Sequence, residues 1–170
     1  MQILLTPTFI IEPEIIKKAE RCQPFQVPPH LMPAYIRYLY TTHRAVHEFL
    51  GIRVESVHQG DIVLTMPVKA DYTNSGGFLY GGILSAMADA MSLGLIVSVG
   101  KSAVTTNLSI NFVKSHPIEG TLRLYGHIRH NGGRMMTLAG EIRGQKKELL
   151  ADIQITMMVV APMPEVPDTW

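Results

Sequence analysis

The chain has 170 residues, 46% of them hydrophobic and 17% charged, with a formal net charge of +1. That length suits one domain with an ordinary core, and the near-neutral charge gives no reason to invoke a nucleic-acid partner. The single cysteine, Cys22, excludes an internal disulfide and fits a reducing, cytoplasmic setting, while the high apolar content points to surface buried between subunits.

The first residues, Met1-Gln2-Ile3-Leu4-Leu5, lack the basic region and cleavage-like site of a secretory signal. Residues 1–44 read as an N-terminal helical extension packed on the domain surface, rich in proline, with a short helical stretch from Glu14 to Arg21. A helix is predicted over 34–50, where Ile36, Leu39, Val46, Phe49 and Leu50 form an apolar stripe and Gly51 ends it. His43 and His47 stand at i, i+4 on that helix, a spacing that can bind metal. The intervening Arg44-Ala45-Val46 lacks the glutamate of a zinc-protease motif, so they read as a solvated face and no metal is expected.

The main domain is placed at 45–161. Ile52–Val57 and Ile62–Val68 form a hairpin across Gln59-Gly60-Asp61. A long helix is predicted over about 82–99, apolar almost all round and so expected to be wrapped. Four further strands follow at Ala103–Val113, Thr121–Arg129, Met135–Arg143 and Leu149–Val160. Their short separators favour antiparallel neighbours. The tail from Pro162 to Trp170 reads as irregular.

One residue breaks the long helix's pattern. Asp89 is the only charge between Asp71 and Lys101. A carboxylate in such surroundings loses water and must be compensated. It also sits mid-way through the 17-residue run Ile83–Val99, which argues against a membrane span. Asn74 and the pairs Gly76-Gly77 and Gly81-Gly82 stand upstream, so the carboxylate follows a loop rich in free backbone donors.

These residues resemble those of the hotdog-fold acyl-CoA thioesterases of the phenylacetate-degradation type, within the 4-hydroxybenzoyl-CoA thioesterase superfamily. The family pattern, N-x-x-G-x-x-H-G-G and then an Asp seven residues on, is matched by Asn74, Gly77, Gly81, Gly82 and Asp89. Thr105 and Asn107 match in the strand after the helix. Tyr80 replaces the family histidine. The resemblance covers about residues 45–160 and implies an α+β hotdog fold. In that fold a curved antiparallel sheet of about six strands surrounds a long central helix. It also implies hydrolysis of an acyl-CoA thioester, with coenzyme A as part of the substrate and no other cofactor. Family sites lie at a dimer interface, so a homodimer or a dimer of dimers is implied.

Thioester hydrolysis needs a cradle for the oxyanion and a group that activates water or attacks. Backbone N–H groups at a helix N-terminus meet the first need, and Gly81 and Gly82 let a substrate approach them. Asp89 meets the second, as general base or as nucleophile through an anhydride. Asn74 is a candidate to support the water or the loop, Thr105 to orient Asp89, and Tyr80 to donate a hydrogen bond. Each also has a plainer reading. Asp89 would be a structural carboxylate bonded to Thr105 or Thr106, Gly81-Gly82 a tightly packed helix start, Asn74 a turn residue and Tyr80 a packing ring. Lys114, Arg129 and Arg134 are candidates for the phosphates of coenzyme A, or ordinary exposed charges. The methionines fill the core or line an adaptable acyl pocket.

Gly81 and Asp89 lie eight residues apart, roughly 12 Å along a helix. Two antiparallel copies across a two-fold bring Gly81 of one to Asp89 of the other. Two other functions compete with hydrolysis. A non-catalytic acyl-CoA-binding module is kept open by Tyr80. A dehydratase is disfavoured because residues 72–100 contain no histidine.

Overall fold

The computed structural model describes residues 25–42, 44–116 and 119–170. The expected helical stretch Glu14–Arg21, and His43, lie outside them. Helical residues occupy Met32–Thr42 (α1) and Arg44–Leu50 (α2). Strands Arg53–His58 (β1) and Asp61–Pro67 (β2) form the expected hairpin. The long helix Gly81–Ser98 (α3) follows, then Lys101–Phe112 (β3), Thr121–Asn131 (β4), Met135–Arg143 (β5) and Leu149–Pro162 (β6). All six strands join one antiparallel sheet of order β1-β2-β4-β5-β6-β3. The architecture expected from the sequence, an antiparallel sheet of six strands around a long helix with a helical N-terminal segment, is the one observed.

One neighbour relation differs from expectation. β3 and β4 follow each other closely in sequence but do not pair; β3 lies at the far edge beside β6. Three strand spacings of about 4.8 Å separate them, roughly 14 Å in a flat sheet. A link over residues 113–120 can span that at about 3.3 Å per residue. Loop length therefore permits the crossover, and the sheet closes β3 against β6 over its whole length.

Glycines on the sheet set the seat of α3. Gly126 of β4 and Gly140 of β5 face each other in the ladder. A Cβ added at either would lie 2.7 Å or 2.9 Å from the Met91 sulfur. The pair makes a notch that receives Met91, and Leu84, Met87, Ala88 and Leu95 are buried with it. The helix is not wrapped all round, as its composition led us to expect. Gly82 and Asp89 are exposed, and Ala86 and Leu93 are half-buried. Positions 82, 86, 89 and 93 form one stripe at helical spacing.

The helical N-terminal segment is more than a surface covering. Met32, Ala34, Tyr35, Ile36, Tyr38, Leu39 and Tyr40 are buried. The Tyr40 hydroxyl donates to the Ala90 carbonyl (2.7 Å) and accepts from the Gly94 amide (3.2 Å). It thus bridges the donor and acceptor of a single turn of α3. Val46 and Phe49, expected on the buried stripe, are instead 50% and 60% exposed. Ile36, Leu39 and Leu50 of that stripe are buried as expected, with Tyr35, Tyr38 and Tyr40 of α1 buried beside them. The tail is irregular as expected, yet anchored: Val166 is buried and the Trp170 indole donates to the Ser98 carbonyl at 2.9 Å.

Candidate active site

Seating Met91 in the sheet decides where Asp89 points. Two residues earlier on a helix is about 200° away, so Asp89 faces outward and is exposed in the single chain. The desolvation expected for this carboxylate is therefore absent from the isolated chain. It follows from reading the helix as apolar all round, whereas the open stripe leaves Asp89 in water.

Edge strand β3 meets Asp89. The register between β3 and β6 shifts between Thr105 and Asn107, and Thr106 is the extra residue. The Thr106 hydroxyl donates to the Thr156 carbonyl at 3.0 Å. A bulge of this kind reverses the inward parity of a strand. Ala103 and Thr105 face the helix before it, and Leu108, Ile110 and Phe112 face it after. Thr105 Oγ1 consequently donates to Asp89 Oδ1 at 2.9 Å.

This pair stands at a groove of about 720 Å³. Its walls are mostly apolar: Val46, Ala86, Ala90, Leu93, Ile96, Ala103 and Met157. Two polar side chains join Asp89 and Thr105 there, Ser92 of α3 and His47 of α2. His47 was expected on a solvated face. It is half-buried and stacks on Tyr40 with ring centroids 4.7 Å apart and planes at 30°. Tyr40 and His47 stand on separate helices, α1 and α2, so their stacking is decided by how the two helices pack and not by spacing along the chain. Burial pushes the Tyr40 phenol above its ordinary pKa of 10.0, keeping it a neutral donor beneath that ring.

The N-terminus of α3 is the second part of the candidate site. Tyr80 precedes the helix without a side-chain cap, so its first amides, at Gly81 and Gly82, have no intrahelical partner. Aromatic rings explain both glycines in packing terms. A Cβ at Gly81 would stand 3.0 Å from the Phe112 ring, and one at Gly82 would stand 2.5 Å from the Tyr80 ring. Tyr80 and Phe112 are nonetheless 57% and 55% exposed. Asn74 shapes the loop before them. Its Oδ1 accepts from the amides of Gly76 (2.9 Å) and Phe78 (3.1 Å). Its carbonyl accepts from Gly77, whose φ of +79° requires glycine's freedom. Asn74 thus builds the loop that delivers the chain to α3.

The structure brings Asp89 of α3 and Thr105 of β3 together, and sets Tyr80, Gly81 and Gly82 together at the start of the same helix. The cations are dispersed. All three are exposed. The Lys114 amide bonds the Leu150 carbonyl, whereas the Arg134 carbonyl accepts from Val159. Nine residues of β6 separate these points, roughly 30 Å. Arg129, near the far end of β4, shares the Arg134 end. Lys114 and the arginines therefore cannot grip one phosphate within a single chain.

Residues 76–151 match the profile of the thioesterase superfamily. The acyl-coenzyme A thioesterase PaaI of Escherichia coli is 30% identical over 102 residues, 60% of this chain and 73% of that protein. The chain belongs to the thioesterase superfamily. Among solved structures, a Streptococcus mutans protein bound to acetyl CoA aligns with a TM-score of 0.64 and 29% identity, over 65% of this chain and 90% of that one. The structure of E. coli PaaI aligns more extensively, with a TM-score of 0.74 over 82% of this chain and 99% of that one. At 24% identity it bears on the fold alone. In this thioesterase-superfamily chain the profile begins after α1, β1 and β2.

Proposed function

We propose that the protein hydrolyses the thioester of an acyl-CoA or aryl-acyl-CoA to the free acid and coenzyme A. The observation that carries this reading is the Thr105–Asp89 hydrogen bond at the mouth of an apolar groove, in a chain of the thioesterase superfamily. One Asp89 oxygen is oriented by Thr105. The other is available to take a proton from water, which attacks the thioester carbon. The C–S bond then breaks and the departing thiolate takes up the proton. As nucleophile, Asp89 would form an anhydride that water opens. Gly81 N–H, with Gly82 beside it, would hold the developing oxyanion.

One copy cannot assemble these parts, because α3 is regular from Gly81 to Ser98 and holds Gly81 and Asp89 roughly 12 Å apart. β3 supplies a route to two copies. It is a 12-residue strand at the sheet edge, mostly exposed along its length. Such an edge is a template for another strand. Pairing it with β3 of a second copy would set the two α3 helices antiparallel and bring Gly81 of one to Asp89 of the other. It would also carry Lys114 of one copy toward the Arg129–Arg134 end of the other, where the phosphates of coenzyme A would lie. A dimer of dimers is compatible with this.

A second reading is a non-catalytic acyl-CoA-binding module. It is favoured by Tyr80 at the position of the family's histidine, lying over Gly82 rather than capping the helix. A thiol-release assay over a panel of acyl-CoAs separates the two, with Asp89→Asn as control. Turnover of at least one ester that collapses in the variant supports hydrolysis, and binding without turnover across the panel supports the module. Sedimentation equilibrium should show at least a dimer at micromolar concentration; an active 18.9 kDa monomer would refute the shared site.

A further inference from the structure

His116 is a buried histidine that the proposed reaction does not use. It is 5% exposed and stands in the link between β3 and β4. Its ring lies between two acceptors. Nε2 is 3.2 Å from the Glu119 carbonyl oxygen, and Nδ1 is 3.6 Å from Oε1 of Glu148, on the turn before β6. The second distance is that of an ion pair, too long for a hydrogen bond. Nδ1 and Glu148 Oε2 accordingly have no hydrogen-bond partner among the described residues. Gly144 makes room for this arrangement, since a Cβ there would collide with the Glu148 carboxylate.

A neutral imidazole carries one N–H and can serve only one of two such acceptors. Its other nitrogen then turns a lone pair toward an oxygen. The imidazolium donates from both nitrogens, and a carboxylate at ion-pair distance offsets the water that a buried charge gives up. The surroundings are thus complementary to the protonated ring. Other charges on the neighbouring elements do not compete. The side chains of Lys69, Asp71, Lys114, Glu119, Lys146 and Lys147 are exposed, and Arg143 is paired with Glu141. Residues 72–80 carry no Asp, Glu, Lys, Arg or His.

His116 also reaches the candidate site. Its backbone carbonyl accepts from the Leu79 amide at 3.0 Å, and Leu79 is buried two residues before Gly81. One residue therefore ties together the link after β3, the turn before β6 and the loop that delivers the first amides of α3. We propose that His116 is a positioning residue: its protonated ring, clasped between Glu119 and Glu148, holds the Leu79 loop so that the Gly81 amide meets the thioester oxygen. The proton on the ring takes no part in the chemistry. The clasp is complete at low pH, where the ring is charged, and loosens as pH rises and the ring loses its proton. Asp89 works in the opposite sense, since it must be ionised to take a proton from water. Activity is then bounded by Asp89 on the acid side and by His116 on the alkaline side. The inference rests on the thioesterase reading for its link to turnover, whereas the clasp itself is read from exchange of the Leu79 amide.

The test measures kcat and KM for a hydrolysed acyl-CoA from about pH 5.5 to 8.5, across the range in which histidines titrate, in wild type, His116→Gln and Glu148→Gln. Wild-type kcat should fall about fivefold on the alkaline side, the worth of one hydrogen bond. KM should change little, because the oxyanion cradle acts in the transition state. Glu148→Gln should keep the higher kcat on the alkaline side: its amide donates to Nδ1 of a neutral ring whose Nε2 still serves Glu119. His116→Gln should stay at the lower value throughout. Thermal midpoints check that each variant is folded, and Glu148→Gln carries the test alone if His116→Gln is not. Leu79 amide exchange, corrected for its intrinsic pH dependence, should quicken over the same range in wild type and not in Glu148→Gln. A wild-type kcat with no alkaline fall overturns the proposal, as does a fall that Glu148→Gln retains. With no turnover of any acyl-CoA, exchange decides. Protection lost with rising pH in wild type alone would sustain the clasp while refuting the hydrolase reading, and protection unchanged by pH would overturn the clasp.

Discussion

The two faces of α3 differ in what they can tolerate. The face toward the sheet, with Leu84, Met87, Met91 and Leu95, is closed on all sides and locked by the Gly126–Gly140 notch. The other, with Gly82, Ala86, Asp89 and Leu93, lies open along its length. Packing fixes the first, and the first fixes the angle at which the second is presented. The face that carries the candidate site is thus oriented by residues on the opposite side of the helix. Stability and activity should separate cleanly between the faces.

The largest separation is expected at Leu95 and Asp89. Leu95→Ala leaves a cavity in the closed face and should cost about 3 kcal/mol of unfolding free energy, read from urea denaturation. Turnover of the folded fraction should change little. Asp89→Asn should do the reverse. It should lower kcat by about a hundredfold or more while moving stability by less than about 0.5 kcal/mol, because the side chain is exposed. Wild-type turnover in that variant would make Asp89 a structural partner of Thr105, and a large loss of stability would place it on the wrong side of the comparison.

A smaller effect is expected where α1 clamps the helix between its faces. Tyr40→Phe removes a hydroxyl that bridges Ala90 and Gly94 and should cost about 1–2 kcal/mol. The variant also tests a pH dependence. Burial raises the pKa of Tyr40 above 10.0, and burial chiefly, with Glu165 and Tyr38 adding to it, pushes Tyr35 up to about 12. The neutral phenols contribute fully below pH 10.0, and that contribution is lost as pH climbs through the raised folded values. The thermal midpoint should fall between pH 10 and 12, less steeply in Tyr40→Phe.

The smallest effect is expected at the open face's N-terminal end. Tyr80 lies over Gly82 and is largely exposed. Tyr80→Phe keeps the ring and should alter neither the thermal midpoint nor kcat/KM appreciably. A loss of about tenfold or more, near 1.4 kcal/mol, would instead assign its hydroxyl a hydrogen bond to the loop or the substrate. Tyr80→His would then retain or raise activity.

Periodicity and turn residues located all six strands and α3 to within a few residues, because each element carries its own pattern of burial and its own punctuation. The Asn74–Gly82 spacing and the isolated charge at Asp89 marked the candidate site for the same local reason: a turn, a helix start and an unmatched carboxylate are all written in neighbouring residues. Only the tertiary structure decided what is distant in sequence. Sheet order put β3 at an edge beside β6, the bulge at Thr106 turned Thr105 toward Asp89, and the notch for Met91 set the rotation of α3. The packing of α2 on α1 stacked His47 on Tyr40 at the groove, with Val46 and Phe49 exposed. His116, one residue of a short separator when read along the chain, became a ring between two acceptors only when its neighbours in space were known. Hydrogen-bond satisfaction is a property of the packed neighbourhood, and no sequence period encodes it.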